Sequence, residues 1–283
     1  MAIGRQAWQR SSLFARSFLL HLALAAGAAV MLLPLFWMFS AAVKPLPEIL
    51  QVPPTWIPRH PSLNSFRTVL QQMNFGRYTA NSLIVAAISV LSVLLTSSLG
   101  GYALSKFQFP GRDLIFIAIL STIMIPFQVR MIPLYVMVYQ LRLVNTYIGL
   151  VLPGAVDAFG IFLMRQYMQS IPSELLDAAR IDGASEPGIF WRIVLPLCGP
   201  ALSALAIFTF SWSWESFIWP LTVTNTDEML TLPVGLSKFS GRYLTRYDLT
   251  MAAASVTVLP LLLFFLLMQR RFIEGITLTG LKG

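Results

Sequence analysis

Apolar runs long enough to cross a bilayer follow one another along this chain, separated by polar stretches. A hydrocarbon core takes about 20 helical residues, and the first run, Phe18 to Val43, meets that length and is interrupted only by His21. A secretory signal has a shorter apolar region, so this segment, preceded by Arg5, Arg10 and Arg16, reads as a retained transmembrane helix. Further spans are expected over Asn81 to Ser105, Leu114 to Val129, Tyr147 to Met164, Ile193 to Leu221 and Leu249 to Met268. In the second of the six, Ser97 and Gly101 offer a small surface for close helix contact in lipid. Pro126 and Pro133 break the pattern after the third, leaving Met131 to Leu141 as an interfacial or partly re-entrant segment. Lys44 to Tyr78 is a polar, proline-rich connection with Trp56 as an interface anchor, and Asn225 to Asp248 is a second long connection.

The expected fold class is therefore all-α, an integral membrane bundle of six transmembrane helices forming one domain over residues 1–283. No alternation of the kind that builds a barrel is present, and backbone groups in hydrocarbon must otherwise be satisfied inside helices. Six spans place both termini on one side. The basic residues Arg5, Arg10, Arg16, Lys106, Arg112, Arg165, Arg180, Arg192, Arg270, Arg271 and Lys282 gather on that side, which makes it the cytoplasmic one.

Composition agrees with a membrane protein: 56% of the 283 residues are hydrophobic and 11% charged, with a mean hydropathy of +0.70. The formal charge of +8 is spread over many loops without a basic helix or an aromatic RNA-binding motif, so it reads as membrane-flanking charge and not as a nucleic-acid surface. One cysteine, Cys198, excludes an internal disulfide and a cysteine metal cluster. The two histidines, His21 and His60, lie on or outside the first span, and no phosphate-binding loop, zinc pair or nucleophile elbow occurs. The chain is not expected to be an enzyme or to hold a metal or cofactor.

Between the two apolar halves lies a polar interruption, Ser173 to Pro196. It opens as a helix of about nine residues with Ser173 as N-cap, Glu174 and Asp177 near its positive end and Arg180 near the other, stopped by Gly183. Leu175, Ala178, Ala179 and Asp182 fall on one side, a small flat face with little to bury by itself, so the helix needs a partner. Asp177-Ala178-Ala179, Asp182-Gly183-Ala184 and Ile193-Val194-Leu195-Pro196 resemble, in order and spacing, the cytoplasmic loop of permease subunits of binding-protein-dependent ABC importers. Trp212 to Val223 and Gly275 to Gly283 resemble the carbohydrate branch, in particular the smaller membrane subunit of maltose-type systems, and the likeness extends over essentially the whole chain. Asp177 stands where the family pattern has Glu, which keeps the charge and shortens its reach by one methylene.

That resemblance implies a type I ABC importer permease fold in a bacterial or archaeal inner membrane. It also implies ATP and Mg on two copies of a separate P-loop ATPase, a second related permease, an extracytoplasmic solute-binding protein and a carbohydrate cargo. ATPase coupling is expected from the loop at 170–196 through Glu174, Asp177, Ala178, Ala179, Asp182, Gly183, Ala184 and Pro196. A binding-protein contact is expected from Ser237 to Tyr247, through Lys238, Arg242, Tyr243 and Arg246. The tail at 272–283, read as short and flexible, is expected to dock on the ATPase through Thr279, Gly280 and Lys282.

Asp157 and Glu215 are acids inside expected spans, where an ionised group costs several kcal/mol unless it meets protein or water. They are candidates for the pathway, and a capping role is the alternative for Asp157. Trp212, Trp214 and Trp219 surround Glu215 and fit either a sugar path, by stacking on sugar rings, or an interfacial aromatic belt. The cargo stays open between a sugar and a polyol, glycerol phosphate or amino acid. A membrane enzyme using Asp157 and Glu215, or a secondary transporter, are rivals of another kind.

Overall fold

The computed structural model describes residues 2–237 and 246–280, with side chains described for 16–71, 73–237 and 246–266. Among the described residues the fold is all helical, without a strand. The helices are α1 (Ala2–Ala42), α2 (Leu46–Ile49), α3 (Asn64–Gln72), α4 (Phe75–Lys106), α5 (Arg112–Ser121), α6 (Phe127–Gln140), α7 (Tyr147–Val151) and α8 (Ala158–Gln169). They continue as α9 (Ser173–Ile181), α10 (Glu186–Ile189), α11 (Leu195–Leu197), α12 (Gly199–Glu215), α13 (Ile218–Val223), α14 (Leu232–Ser237) and α15 (Tyr247–Gly280).

Three stretches are long and apolar enough to cross a membrane as single helices: Arg16–Ala42, Phe75–Lys106 and Tyr247–Leu266. The other expected spans are bent pairs. Arg112–Met124 and Phe127–Gln140 meet at 102°, Tyr147–Gly154 and Ala158–Gln169 at 52°, and Glu186–Leu197 and Gly199–Glu215 at 77°. The first break falls before Pro126, which holds Ile125 in an extended conformation, as the proline ring requires of the residue before it. Pro133, expected to break the pattern as well, lies inside α6 without ending it. The span expected as continuous from Ile193 to Leu221 is divided at Cys198, and α12 ends at Glu215.

Contacts divide the chain into two compact units, Met1–Gln72 with Phe239–Val256, and Met73–Lys238 with Thr257–Gly283. In the first, the connection after α1 is folded around two buried charges. Lys44 is 1% exposed; its ammonium lies 4.6 Å from the Trp37 ring centre and donates to the carbonyls of Thr55 and Trp56. The Glu48 carboxylate accepts the N–H of Arg59 at 2.7 Å and of His60 at 3.4 Å, and the Thr55 hydroxyl at 3.4 Å. Trp56 packs edge-on against Trp37 at 5.4 Å. The stretch read as a polar, proline-rich connection contains α2 and α3 and a hydrogen-bonded polar core.

The second unit is built on α4 and α8. Gly101 and Ser97 of α4 face Met164 and Gly160 of α8 so closely that a methyl group on Gly101 would lie 2.7 Å from Met164 Cβ and 2.9 Å from the Arg165 backbone nitrogen. A methyl on Gly160 would lie 2.3 Å from the Ser97 hydroxyl. Small residues permit this approach, which replaces side-chain interdigitation with direct backbone contact. The cluster around it includes Val93, Tyr102, Met164, Met168, Val194, Cys198 and Leu205. Arg165, 9% exposed, donates to the Leu104 carbonyl at 3.0 Å, pairs with Asp113 at 2.9 Å and lies over the Phe116 ring at 3.8 Å.

Because the atoms facing Gly101 are the Met164 Cβ and the Met164 and Arg165 backbone, none of which can rotate away, Gly101→Ala is expected to destabilise the purified subunit by about 1–3 kcal/mol, the cost of overpacking; a thermal midpoint equal to the parent's would refute the contact. The Glu48 carboxyl is held below its ordinary value of 4.5, chiefly by the Arg59 N–H. A carboxyl with a lowered folded value stabilises above the ordinary pKa and loses that contribution as pH falls through the lowered one. Glu48→Gln should therefore flatten the acid-side fall in thermal stability, and parallel profiles for the two proteins would contradict this role.

Candidate functional site

The loop singled out in the sequence forms α9 and its exit. Pro172, not Ser173, occupies the N-cap position, and no side-chain cap is made; Ser173 begins the helix, with Glu174 in its first turn. At the other end Gly183 takes φ +82°. The Ala184 N–H donates to the Ala179 carbonyl at 2.9 Å and the Gly183 N–H to the Arg180 carbonyl at 3.0 Å, the bonding of a left-handed glycine cap. Gly183 thus ends the helix as expected, and in doing so satisfies carbonyls that the last turn leaves open.

The expected flat face is divided by the packing. Leu176 is 1% exposed and anchors α9 in the cluster of Met164, Met168, Ile171, Ile189 and Phe190, and Ala179 packs against it. Ala179 therefore turns inward, one helical step from where the spacing put it. Leu175, Ala178 and Asp182 stay exposed, joined by Ile181 at 87% exposure. Among the described residues, Leu175, Ala178 and Ile181 thus form an uncovered apolar strip on α9.

The loop is gripped from the end of α4. Lys106 donates to the Ile171 carbonyl at 2.6 Å, before α9 begins. After α9, the Tyr102 hydroxyl donates to Glu186 at 2.9 Å, and Glu186 accepts from Arg180 at 2.6 Å. Arg180 also pairs with Asp177 at 2.6 Å. Glu186 first, and Asp177 second, hold the Arg180 guanidinium still more firmly protonated than usual. Asp177 is thus braced within the loop. Beyond α10 a π-helical turn covers Phe190–Val194, and Pro196 is exposed in α11 just before the bend at Cys198.

A cavity of about 750 Å³ lies elsewhere in the same unit, lined among others by Ser89, Arg130, Asp157, Phe159, Trp212, Glu215, Phe217 and Trp219. The structure brings together four of the five path candidates. Asp157 is the N-cap of α8, its carboxylate accepting the Gly160 N–H at 2.6 Å, so the capping alternative and the cavity position hold together. Trp212 is 56% exposed and contacts Phe159 and Phe208. Trp219 is 7% exposed and donates to the Gly149 and Leu150 carbonyls at 3.2 Å, which fixes its ring in the wall. Glu215 is exposed at the end of α12. Trp214 does not belong to the lining: it is 2% exposed, donates to the Thr257 carbonyl at 3.3 Å and stacks with Phe210. Helical rotation places it on the opposite side of α12 from Trp212.

Arg130, a cavity-lining cation, was missed in the sequence, although a single charge between apolar neighbours is itself a signal. So was the polar join that holds 224–232 to α4. There Asn81 donates to the Glu228 and Leu230 carbonyls at 2.8 and 2.9 Å and accepts from Tyr147 at 2.7 Å, while the Tyr78 hydroxyl donates to Asp227 at 2.7 Å.

In the other unit, Arg246 pairs with Asp248 through Nε and Nη2, at 2.9 and 2.8 Å, and Ser65 donates to the same carboxylate at 3.4 Å. That charge is committed within the chain. Lys238, Arg242, Tyr243 and Lys282 lie outside the described residues. Thr279 and Gly280 continue α15, so the segment read as a flexible tail is helical through Gly280.

Helices apolar enough to cross a membrane, an exposed loop helix and a cavity in the larger unit are compatible with a membrane permease component. Residues 94–277 match the family of binding-protein-dependent transport system inner membrane components, and the chain belongs to it. It is 38% identical over 270 residues to the arabinooligosaccharides transport system permease protein AraQ of Halalkalibacterium halodurans, covering 94% of this chain and 97% of that protein. Against the sn-glycerol-3-phosphate transport system permease protein UgpE of Pectobacterium atrosepticum the identity is 36% over 264 residues, covering 90% and 94%. A chain of the bacterial ABC transporter involved in import of the acidic polysaccharide alginate superposes with a TM-score of 0.80 at 24% identity, over 90% of this chain and 96% of that one. This likeness establishes the fold.

The left-handed Gly183 gives the loop its sharpest test. Gly183→Val is expected to cost about 1–2 kcal/mol locally, read as faster amide hydrogen exchange at Gly183 and Ala184 positions and in the last turn of α9; unchanged protection would show that the cap is dispensable.

Proposed function

We propose that this chain is the membrane-spanning subunit of an ATP-driven carbohydrate importer, forming half of the pathway beside a second related permease. The observation that carries the reading is the exposed face of α9, Leu175, Ala178 and Ile181, held by a folded loop on a chain of this family. The occupant of that face is a cytoplasmic P-loop ATPase, two copies of which bind and hydrolyse ATP with Mg. With each bent pair counted as one span there are six, which supports both termini and the α9 loop on one side of the inner membrane, and the basic residues near them support the cytoplasmic side. An extracytoplasmic solute-binding protein delivers cargo at the opposite side.

The cavity supports a sugar. Trp212, Phe159 and Phe217 offer aromatic faces for the apolar faces of sugar rings, and Asp157, Glu215 and Arg130 offer acceptors and a donor for hydroxyl groups. The arabinooligosaccharide relative supports the same class. Glycerol phosphate is the second reading, favoured by the UgpE relative and by Arg130. Two carboxylates beside one guanidinium weigh against a doubly charged phosphate.

ATP draws the ATPase pair together, the α9 loops move with it, and the bundle passes from inward- to outward-facing. ATP and the loaded binding protein must each bind the outward state more tightly, since a ligand shifts an equilibrium only by its differential affinity.

Affinity purification of the tagged chain is expected to recover a P-loop ATPase and a second permease. Ile181→Arg and Ala178→Trp, both on the exposed face, should insert normally yet lose the ATPase and sugar uptake. Retention of ATPase and uptake by both variants would sink the docking assignment. Competition of uptake by arabinotriose, with none by glycerol 3-phosphate, is the outcome expected for cargo class.

A further inference from the structure

The loop that carries α9 has three routes into the bundle: back along the chain to α8, which ends three residues before α9, forward along the chain to α12, and through space to α4. Along the chain it continues through the π-helical turn Phe190–Val194 and Pro196 to the 77° bend at Cys198 before α12 begins. Each of these interrupts the regular bonding that would make one rigid rod. Through space it meets the last turns of α4, and α4 is unbroken over 32 residues, about 48 Å at 1.5 Å per residue. Farther along, the same helix presents Val85, Ser89 and Val93 to the cavity.

The grip on α4 is polar and apolar together. Lys106 holds the carbonyl of Ile171 just ahead of α9. Leu176 of α9 shares a buried cluster with Tyr102 and Val93. The Tyr102 ring also packs on Phe190 at 5.2 Å, and its hydroxyl reaches Glu186. Glu186 bonds Arg180 in the last turn of α9, so one carboxylate joins the docking helix to α4. Tyr102 is 6% exposed and the Glu186 side chain 39%, which sets the hydroxyl-to-carboxylate bond apart from a fully solvated surface pair.

We infer that Glu186 and Tyr102 are the positioning residues through which displacement of α9 is passed to α4, and that α4, not the directly connected α12, carries it to the cavity wall. The inference rests on the proposed ATPase docking at α9. A packed interface of this kind moves as a body, because buried side chains in close contact do not deform continuously. Loss of the Glu186 bridge leaves the packing of Leu176 and the Lys106 bond at the start of the loop, and unties the last turn of α9 at Arg180 from α4.

The test reads the cavity directly and needs no cargo. Ser89→Cys is introduced in a Cys198→Ser background, and its labelling by a small maleimide is followed by mass spectrometry of this chain. The complex purified with its ATPase is compared with and without a non-hydrolysable ATP analogue and Mg. Nucleotide is expected to change the labelling rate at Ser89→Cys by about tenfold, the scale of ordinary coupling free energies. In Glu186→Ala and in Tyr102→Phe the ATPase should still co-purify, with the nucleotide response at Ser89→Cys lost. Tyr102→Phe keeps the packed ring and removes only the hydroxyl, so loss of response there does not come from a collapsed core. A response that persists in both variants overturns the proposal, as does one lost only in Glu186→Ala, which would make Glu186 an internal brace of the loop. Bound ATPase with no nucleotide response in the parent overturns the α4 route. Absence of any ATPase with the parent overturns the docking reading beneath it.

Discussion

The close approach of α4 and α8 is the contact on which the larger unit depends. Ser97 against Gly160 and Gly101 against Met164 bring the two backbones nearer than any larger side chain would allow. In lipid there is little hydrophobic drive for one apolar helix to leave the bilayer for another, so packing of this kind supplies the association. The consequence reaches both ends of the unit. Asp157 caps α8 beside the cavity, and Arg165, Tyr102 and Lys106 are set at the opposite end, where the loop is held.

Polar groups in this unit are spent at helix ends and breaks, where backbone donors and acceptors need partners. Asp157 answers the first turn of α8, Asn81 takes up carbonyls of the 224–232 stretch while its own oxygen accepts from Tyr147, and Trp219 bonds carbonyls where α7 ends. The break between α7 and α8 is thus bridged by side chains, and residues beside it line the cavity. A residue serving as a cap can also line a cavity, and Asp157 does both.

The loop follows the same economy on a smaller scale. A nine-residue helix is marginal alone, and α9 persists because Leu176 is buried, Gly183 closes its end, and Arg180 ties Asp177 to Glu186. With its inner face committed, what remains outside is Leu175, Ala178 and Ile181. This division makes the loop a folded part of this chain that keeps an exposed apolar strip.

The sequence by itself determined the helical class, the positions of the apolar runs, the length of α9 and its stop at Gly183, and the family loop that led to the function. Those features depend on neighbours along the chain: length of apolar run, turn chemistry at glycine, charge near helix ends. Tertiary structure decided where spans bend, that Ala179 turns inward while Ile181 stays out, that Trp214 packs away from the cavity while Arg130 lines it, and that Tyr102 grips Glu186 across 84 positions. Periodicity ranks residues by face but cannot choose the zero of rotation for a short helix, and that choice came from the burial of Leu176. Bonds between distant residues are set by which helices pack together, and here that packing followed from the small surfaces of Ser97, Gly101 and Gly160.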